Sequence, residues 1–529
     1  MTSWDAVYER NSVERIKRDR APLGIREELP ALIAEGYERM AEEDIVRLQW
    51  WGLYHDKPKI GTFMLRVKIP SGILTPAKLR TIGEVANRYG RGDAELTTRQ
   101  CIQLHWLELA SLPDVFRDLE AAGITSAGGC GDTVRNITGC PVAGIAADEH
   151  FDSTPVLDAA TAEFYGNPAW ANLPRKHKYS IASCPDRCNA PEINCVSLVG
   201  VVHDGREGYG VLVGGGLSSV PRIARDLGVF IPKEQAVELL GAVTSVWSDD
   251  LKYRMSRVKA RLKFMVDDVG ADGLRERVEA RLGRALERLE LPPAEPRLST
   301  HVGIHPQKDG LHYVGVPVPL GLTSGNQLIA VADLVERFGG DVRLTRQQNL
   351  IVTGVRDVPA TVDALAGLGL PLDVNPVWAG SIACTGEPHC NFSVGETKGR
   401  LRELVAHLEA TFGDAIADLR LHLDGCPHAC AQHWIGDLGF QATTGKDSDG
   451  NRIPAYDVFV RGGRDRVGTS LFRRVPSEEL EPAVEGLLRG WLDEREPGES
   501  FPDFQLRLSD EELGAHARLE PVVKRKVAA

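Results

Sequence analysis

Four cysteines stand in two short motifs, Cys384-Thr-Gly-Glu-Pro-His-Cys390 and, after thirty-five residues, Cys426-Pro-His-Ala-Cys430. Each pair is compact enough to turn both thiolates toward one point, and four convergent thiolates are the usual ligands of a [4Fe-4S] cluster. Zinc also binds four thiolates, but its motifs favour gaps of two to four residues, and the first pair has a gap of five. A disulfide is disfavoured because the chain has cytosolic character, and cytosolic thiols stay reduced. The spacing therefore favours iron and sulfur.

Length and composition describe a multidomain protein of ordinary solubility. The 529 residues suffice for two to four domains, and contents of 43% hydrophobic and 26% charged residues are typical of globular proteins. No apolar run is long enough to span a bilayer, and the first residues lack the apolar core of a signal peptide, so we expect a cytoplasmic protein. The net charge of −12 argues against a nucleic-acid binder.

One pattern of strand, turn and helix occurs twice in the chain. Residues 63–69 alternate as a strand, Pro70-Ser71-Gly72 predicts a turn, and Thr75-Pro76 opens a helix that Gly90 ends; residues 96–105 then predict the next strand. The pattern returns about 249 residues later, from Tyr313 onward. A long repeat with only two copies predicts two pseudo-symmetric halves packed together. The run Leu291-Pro-Pro-Ala-Glu-Pro-Arg-Leu is the clearest linker between them.

The cysteines repeat in part as well. Cys184-Pro-Asp-Arg-Cys188 mirrors Cys426-Pro-His-Ala-Cys430, and Cys130 and Cys140 precede it. These four residues roughly reproduce the cluster pattern in the first half, so a second cluster and the remnant of a lost site both stay open. Cys101 and Cys195 are interpreted as core residues.

The runs Ala383-Cys384-Thr385-Gly386…Cys390 and Gly425-Cys426-Pro427…Cys430 resemble the cluster motif of the siroheme-containing sulfite and nitrite reductases. Matches extend from about Leu23 to about Arg507, nearly the whole chain. The resemblance implies an α+β fold of two pseudo-symmetric repeated halves, with ferredoxin-like half-domains and siroheme/iron-sulfur domains. It also implies siroheme and one [4Fe-4S] cluster as cofactors, with Cys430 bridging the cluster to the siroheme iron.

The repeat and the resemblance together predict five segments. They are an N-terminal wrapping arm (1–57), a first ferredoxin-like half-domain (58–126), a first siroheme-binding domain (127–290), a second half-domain (300–372) and a [4Fe-4S]/siroheme domain (373–529).

Reduction of a small oxyanion needs cations for its oxygens and donors of protons. The resemblance gives this role to Arg66, Arg135, Lys176 and Lys178. Alternation in a strand would turn Lys176 and Lys178 to the same face. Without the resemblance, each of these four residues would be interpreted as a solvated surface charge. Lysine at position 178 is typical of sulfite-type members, whereas plant-type nitrite reductases tend to have asparagine there.

Siroheme carries many carboxylates and needs basic residues of its own. The family positions are Arg99, Gln103 and Arg175, with Gly214-Gly215-Gly216 as a weaker candidate whose alternative is a tight turn. A basic run at Arg257, Lys259, Arg261 and Lys263 could also reach a carboxylate, although such runs are usually solvated.

Two positions depart from the family pattern and one pair is unusual. One branch of the family has an arginine at the position of Glu95, and many members have asparagine at the position of His428, so cofactor contacts there are in doubt. Tyr54 and Cys130 match a pair that some ferredoxin-dependent sulfite reductases join covalently beside the siroheme. The alternative is a core tyrosine beside a buried free thiol.

The sequence therefore predicts a monomeric enzyme that reduces sulfite to hydrogen sulfide by six electrons. Ferredoxin or a similar small carrier is the expected donor, because no Gly-x-Gly-x-x-Gly fingerprint follows a strand. No nucleic acid or membrane partner is expected. Three alternatives stay open: nitrite reduction to ammonia in the same site, a cobalamin-pathway oxygenase on the same fold, and a non-catalytic electron-transfer protein.

Overall fold

The computed structural model describes residues 2–293 and 300–522, and the chain divides into two compact units. Unit 1 comprises Met1–Gly216, Ala224–Val316 and Leu322–Leu372, and unit 2 comprises Leu217–Ile223, Pro317–Gly321 and Asp373–Ala529. Most of the predicted linker, residues 294–298, lies outside the described residues. None of the described helices is both long enough and apolar enough to cross a membrane.

Unit 1 mixes helices and strands along its whole length, as the α+β prediction requires. Its helices are α1 Trp4–Arg10, α2 Ser12–Asp19, α3 Ile25–Glu35, α4 Glu42–Leu48, α5 Pro76–Tyr89, α6 Leu112–Ala121, α7 Thr154–Phe164, α8 Ala236–Ser248, α9 Leu262–Leu282, α10 Gly325–Glu336 and α11 Val358–Gly367. Its strands are β1 Leu53–His55, β2 Thr62–Val67, β3 Ile73–Leu74, β4 Asp93–Leu96, β5 Ile102–Glu108, β6 Thr138–Gly139, β7 Tyr179–Ala182, β8 Val196–His203, β9 Arg206–Val213, β10 Arg225–Pro232, β11 Glu287–Arg288, β12 Gly303–Pro306, β13 His312–Val316, β14 Leu322–Ser324, β15 Val342–Leu344 and β16 Leu350–Val355.

Unit 2 is a single sheet covered by helices around its own apolar core. The helices are α12 Val377–Gly380, α13 Lys398–Phe412, α14 Leu480–Glu494, α15 Phe501–Arg507 and α16 Asp510–Ala517. The strands are β17 Ile382–Ala383, β18 Leu421–Asp424, β19 Leu438–Lys446, β20 Arg452–Val460 and β21 Thr469–Pro476.

The two ferredoxin-like half-domains of unit 1 exchange strands with each other. Their sheets have the orders β1-β2-β5-β4-β14 and β12-β13-β16-β15-β3. Strand β14 of the second copy pairs antiparallel with β4, while β3 of the first copy pairs antiparallel with β15. Each half thus completes the edge of the other, which leaves fewer unpaired strand edges. The predicted pair of pseudo-symmetric halves is confirmed.

The helices that follow these exchanged strands also meet. Helix α5 begins as predicted, because the Thr75 hydroxyl caps it by accepting a hydrogen bond from the Lys78 backbone N–H at 3.4 Å. A Cβ placed on Gly83 of α5 would lie 2.6 Å from the Gly325 carbonyl oxygen and 2.8 Å from the Ile329 Cγ1. Only glycine allows helices α5 and α10 to approach this closely.

A second repeated feature is a mixed sheet that occurs once in each unit. One has the order β11-β10-β9-β8-β7-β6, and the sheet of unit 2 has the order β17-β18-β19-β20-β21. In each sheet three parallel strands are followed by two antiparallel ones: β6, β7 and β8 then β9 and β10, and β17, β18 and β19 then β20 and β21. Strands β6 and β7 are therefore the counterparts of β17 and β18.

The prediction of one strand over residues 96–105 was wrong. Strand β4 ends at Leu96 and β5 begins at Ile102, and the two form an antiparallel hairpin. The turn between them is closed by a hydrogen bond from the Gln100 N–H to the Thr97 carbonyl at 3.0 Å, with Gln100 at φ 54°. Arg99 consequently lies in a tight turn at the end of the hairpin.

The N-terminal segment folds onto unit 1 through buried charges. The Lys17 ammonium donates to Glu14 at 2.6 Å and to the Leu173 carbonyl at 2.8 Å, and Arg254 contacts the same glutamate at 3.1 Å. All three charged side chains are nearly inaccessible to solvent. Buried charges of this kind are stable only when paired, so this network fixes α2 against the rest of the unit.

Candidate active site

Lys176 and Lys178 flank a buried histidine just before β7. The His177 ring is fully buried and stacks on Trp247, with ring centroids 4.8 Å apart. The backbone of His177 is extended and accepts a hydrogen bond from the Arg135 N–H at 2.8 Å. Since side chains alternate along an extended chain, the two half-buried lysines share the face opposite His177.

Arg135 is held against the same segment by neutral partners. Its guanidinium donates to the Gly129 carbonyl at 3.0 Å and to the Gly131 carbonyl at 2.9 and 3.1 Å. Carbonyl oxygens fix the orientation of the side chain but do not cancel its charge. The Arg135 guanidinium is therefore fixed in orientation at a buried position.

Arg66 and Gln103 are opposite each other on β2 and β5. The Gln103 side-chain oxygen accepts hydrogen bonds from two nitrogens of Arg66, at 2.8 and 3.2 Å. A third nitrogen of Arg66 lies 3.0 Å from the Cys130 sulfur. Gln103 thus orients the Arg66 guanidinium toward Cys130.

Tyr54 lies in the neighbourhood of these groups. Burial raises its pKa, and Cys130 raises it further, while Arg135, Arg66 and Arg175 act in the opposite direction. Groups must be close to influence one another in this way. The structure therefore brings Tyr54 and Cys130 together, and a covalent bond between them stays a prediction.

Arg99 projects from the hairpin turn into the unit. It donates to the Asn194 side-chain oxygen at 2.9 Å and to the backbone carbonyls of Asn136 and Tyr179. Burial lowers the pKa of Arg99 to about 10. Its buried Nε–H has no hydrogen-bond partner among the described residues.

Lys178 is influenced by several cations at once. Burial lowers its pKa well below the usual value for lysine, and Arg99, Arg261 and Lys176 lower it further. Arg99, Arg261 and Lys176 therefore lie near Lys178. A lysine with a depressed pKa gives up its proton more readily at neutral pH.

Arg175 is partly neutralised by a buried carboxylate. It contacts Asp132 at 3.1 Å, and Arg257 contacts the other carboxylate oxygen at 3.2 Å. Burial acts to raise the pKa of Asp132, but Arg257, Lys17 and Arg175 hold it below the ordinary value. Asp132 is therefore ionised and already bound.

For two further cations the sequence predicted too little burial. Arg261 and Lys263 belong to the basic run that we expected to be solvated, yet both are buried. Arg261 lies 3.2 Å from the Cys195 sulfur, and a Cβ on Gly216 would be 2.5 Å from its guanidinium. The triple glycine thus serves in part to admit Arg261. The run ends inside helix α9, where Arg261 is the N-cap and Lys263 belongs to the first turn.

The predicted ligands Cys384 and Cys426 lie at the ends of two paired parallel strands of unit 2. Ala383 is opposite Leu423 in the β17–β18 ladder, and the Cys384 N–H donates to the Leu423 carbonyl at 3.1 Å. The Gly425 N–H in turn points at the Cys384 sulfur at 3.2 Å. Cys426 follows directly, so the two thiols come to one edge of the sheet.

All four thiols of the motif lie close enough to interact. Burial raises the pKa of Cys384, with further contributions from Asp424, Cys430 and Cys390. Burial likewise raises the pKa of Cys426 to about 12, with Cys430, Asp424 and Cys390 contributing. Among the described residues, no three of these sulfurs lie within 4.8 Å of one another. This wide spacing suits a cluster, in which each thiolate binds a different iron, better than a single ion.

The basic residues of unit 1 fit a cofactor that carries many carboxylates. Asp132, the carboxylate that lies among them, is already bound by Arg175 and Arg257. The buried Nε–H groups of Arg99 and Arg261 are unbonded within the part of the chain that the structure describes. A polycarboxylate such as siroheme would supply acceptors for these donors and balance the positive charge.

The two residues that depart from the family pattern, Glu95 and His428, have different surroundings. Glu95 is buried and lies 3.7 Å from the His105 ring, so its charge is paired within the half-domain. His428 is exposed and packs its ring against Phe392, with centroids 4.8 Å apart.

The expected grouping of the first-half cysteines needs a correction. Cys130 lies beside Arg66 and Tyr54, apart from the group formed by Cys140, Cys184 and Cys188. The fourth neighbour of that group is His301, whose Nε2 lies 3.1 Å from the Cys188 sulfur. Cys130, Cys140, Cys184 and Cys188 therefore do not form the set of four that the sequence suggested.

Comparisons with known proteins identify the family of the chain. Residues 130–286 match the family model of the nitrite and sulphite reductase 4Fe-4S domain, and residues 55–122 and 305–368 match the nitrite/sulfite reductase ferredoxin-like half domain.

Relatives of both substrate types match over nearly the full length. A protein named sulfite reductase [ferredoxin] 1 from Mycolicibacterium paratuberculosis is 34% identical, over 95% of this chain and 96% of its own. An assimilatory ferredoxin-dependent nitrite reductase from Haloferax mediterranei is 35% identical, over 92% of this chain and 90% of its own. The solved structure of the Mycobacterium tuberculosis NirA protein superposes with a TM-score of 0.91 at 32% identity, covering 95% of this chain and 97% of that one. The chain therefore belongs to the nitrite and sulphite reductase family, oxidoreductases that carry siroheme and a [4Fe-4S] cluster.

Proposed function

We propose that this protein reduces sulfite to hydrogen sulfide with six electrons from ferredoxin. The observation that supports the proposal is that Arg66 and Arg135 both donate to the Gly129 carbonyl, while the Arg135 N–H donates to the carbonyl of His177, which lies between Lys176 and Lys178. Sulfite is a small dianion whose three oxygens need cationic partners.

The arginines would hold the anion and orient its oxygens. Both are fixed by hydrogen bonds to neutral groups, Arg66 by Gln103 and Arg135 by the Gly129 and Gly131 carbonyls. Guanidinium groups that are oriented before the substrate arrives need no reorganisation when negative charge develops on its oxygens. They also keep the anion from leaving before reduction is complete.

The lysines would supply protons. Each sulfite oxygen leaves as water, and each of these three steps consumes two protons. Burial and three neighbouring cations lower the pKa of Lys178, which brings proton donation from its ammonium closer to neutral pH. Lys176 lies on the same face and contributes to that depression, so the two lysines can share the task.

The two cofactors are assigned to separate sets of residues. Arg99, Gln103 and Arg175 would bind siroheme carboxylates, and Cys384, Cys390, Cys426 and Cys430 would bind the cluster. Cys430 is exposed, whereas the other three thiols are partly or fully buried. Cys430 is the residue that the family resemblance makes the shared ligand of the cluster and the siroheme iron. When bound, siroheme holds the sulfur atom and the cluster delivers electrons to it.

Ferredoxin is the proposed donor because the relatives of both substrate types are named as ferredoxin-dependent. The chain carries no fingerprint for a nicotinamide or flavin nucleotide. We also propose that the enzyme acts as a monomer in the cytoplasm.

Nitrite reduction to ammonia is the second candidate. It requires the same number of electrons and the same cations, and the Haloferax mediterranei relative is as similar as those named for sulfite. Lys178 is the residue that favours sulfite over nitrite.

The test is the stoichiometry of the purified enzyme, loaded with both cofactors, under anaerobic conditions. We expect about six reduced ferredoxins to be oxidised for each sulfide released from sulfite. Consumption of electrons without release of sulfide would contradict the proposal, and release of ammonia from nitrite alone would support the second candidate.

A further inference from the structure

A second group of thiols lies in unit 1, away from the proposed cluster. Cys140 follows β6 directly, and Cys184 comes two residues after β7, in the positions that Cys384 and Cys426 occupy after β17 and β18. Cys188 follows Cys184 at the same interval as Cys430 follows Cys426. The duplicated sheet therefore places three cysteines at an edge equivalent to that of the cluster motif.

The fourth member of this group comes from a distant part of the chain. The His301 Nε2 lies 3.1 Å from the Cys188 sulfur, and the ligand atoms of Cys140, Cys188 and His301 all lie within 4.8 Å of one another. Cys184 packs with Cys140 in one buried cluster. All four residues are buried. Two thiols and an imidazole thus converge on one point, and a third thiol packs beside them.

The spacing of these atoms suits a single ion. With Zn–S near 2.3 Å and Zn–N near 2.0–2.1 Å, the ligand atoms of a tetrahedral zinc lie about 3.5–3.8 Å apart. The Cys188 sulfur and the His301 Nε2 are 3.1 Å apart, and every pair among the ligand atoms of Cys140, Cys188 and His301 lies within 4.8 Å, so small shifts would reach this range. The three cysteines cannot all form disulfides with one another, since one thiol would always be left without a partner.

The surroundings complete such a site. The other ring nitrogen of His301 lies 3.4 Å from the Tyr313 hydroxyl, which would fix the ring with Nε2 toward the sulfurs. Arg346 donates to the Cys188 carbonyl at 2.9 Å, and Arg343 donates to the Pro141 carbonyl at 3.3 Å. These two buried guanidiniums would offset the negative charge of three thiolates around one divalent ion.

The group is also closed to solvent. Val142, Ala143, Ala146, Ala182 and Ile351 form an apolar shell together with Cys140, Cys184 and Tyr313. A site with four protein ligands and no access for substrate is typical of structural zinc. We propose that Cys140, Cys184, Cys188 and His301 bind one structural zinc ion in unit 1.

The test is metal analysis of the purified full-length enzyme, with zinc X-ray absorption spectroscopy. We expect about one zinc per chain, bound by three sulfurs at about 2.3 Å and one nitrogen at about 2.0–2.1 Å. His301→Ala should lose the zinc, and His301→Cys should retain it with four sulfurs. Cys101→Ser, which removes another buried thiol, should leave the zinc content unchanged. Cys390→Ser should lose cluster iron and keep zinc.

Four outcomes would overturn the inference. They are a chain without zinc, zinc that persists in His301→Ala, iron in excess of one siroheme and one cluster, and a disulfide among these cysteines in protein kept reduced. If His301→Ala does not fold, the change from nitrogen to sulfur ligation in His301→Cys decides the question. An unchanged zinc spectrum in that variant would reject His301 as a ligand.

Discussion

Lys178 is the residue on which our proposal of sulfite as the substrate rests. Its ammonium shares a face with Lys176 and lies within electrostatic range of Arg99 and Arg261. Such crowding costs stability, because like charges repel and burial disfavours the charged form. Proton donation by Lys178, as proposed above, would account for this loss of stability.

Replacement of Lys178 tests that use directly. We expect Lys178→Asn to lower kcat/KM for sulfite by about 10- to 100-fold and to lower the value for nitrite less, because a proton donor and an anion contact are both lost. Lys446→Asn, at an exposed position, is the matched control. Equal losses for both anions would remove Lys178 as a determinant of specificity.

The pH dependence follows from the same residue. A lysine donates a proton only when it is charged, and its charged fraction falls as the pH rises through its pKa. Because the pKa of Lys178 is lowered, kcat for sulfite should fall at a pH below the usual lysine value. Lys178→Arg should remove this fall, since arginine stays charged. Identical pH profiles for the two proteins would show that another group controls the rate.

The pair of Tyr54 and Cys130 allows a chemical test. Oxidation by dioxygen would form a bond between the sulfur and the tyrosine ring, with loss of one hydrogen atom from each. Mass spectrometry of proteolytic digests should then find the two peptides joined and lighter by two hydrogens. Recovery of both peptides in separate, unmodified form would leave them as a buried phenol beside a free thiol.

At the scale of elements, the approach of α5 and α10 depends on glycine. Gly83→Ala would place a methyl group 2.6 Å from the Gly325 carbonyl oxygen, so we expect destabilisation by about 1–3 kcal/mol and a lower Tm. Gly367→Ala is the control, because its Cβ would meet no atom within 4 Å and alanine favours the helix. Similar melting temperatures for the two variants would mean that α5 and α10 can separate at little cost.

The elements also show what the sequence could and could not predict. Alternation and capping predicted β2, the turn at Pro70–Gly72 and helix α5, because these depend on neighbours along the chain. The hairpin turn before Ile102 was missed, since Gln100 takes a left-handed conformation without a glycine or proline to signal it. Arg99 was thereby assigned to a strand instead of a turn.

At the scale of the whole molecule, the duplication could be predicted from the sequence. The strand exchange between its two copies could not. The repeat predicted two halves, and the cluster ligands that the four-cysteine motif indicates stay a prediction. The exchange of β3 and β14 could not be predicted from the sequence, because no residue pattern in either strand specifies the strand with which it pairs. His301 was missed for a similar reason: 113 residues separate it from Cys188.

The central claim is that the basic site of unit 1 reduces sulfite. Its most direct test is steady-state kinetics of the purified enzyme with reduced ferredoxin, after the visible spectrum has confirmed siroheme. We predict a larger kcat/KM for sulfite than for nitrite. A clear preference for nitrite would leave the fold and cofactors in place but would contradict the proposed substrate.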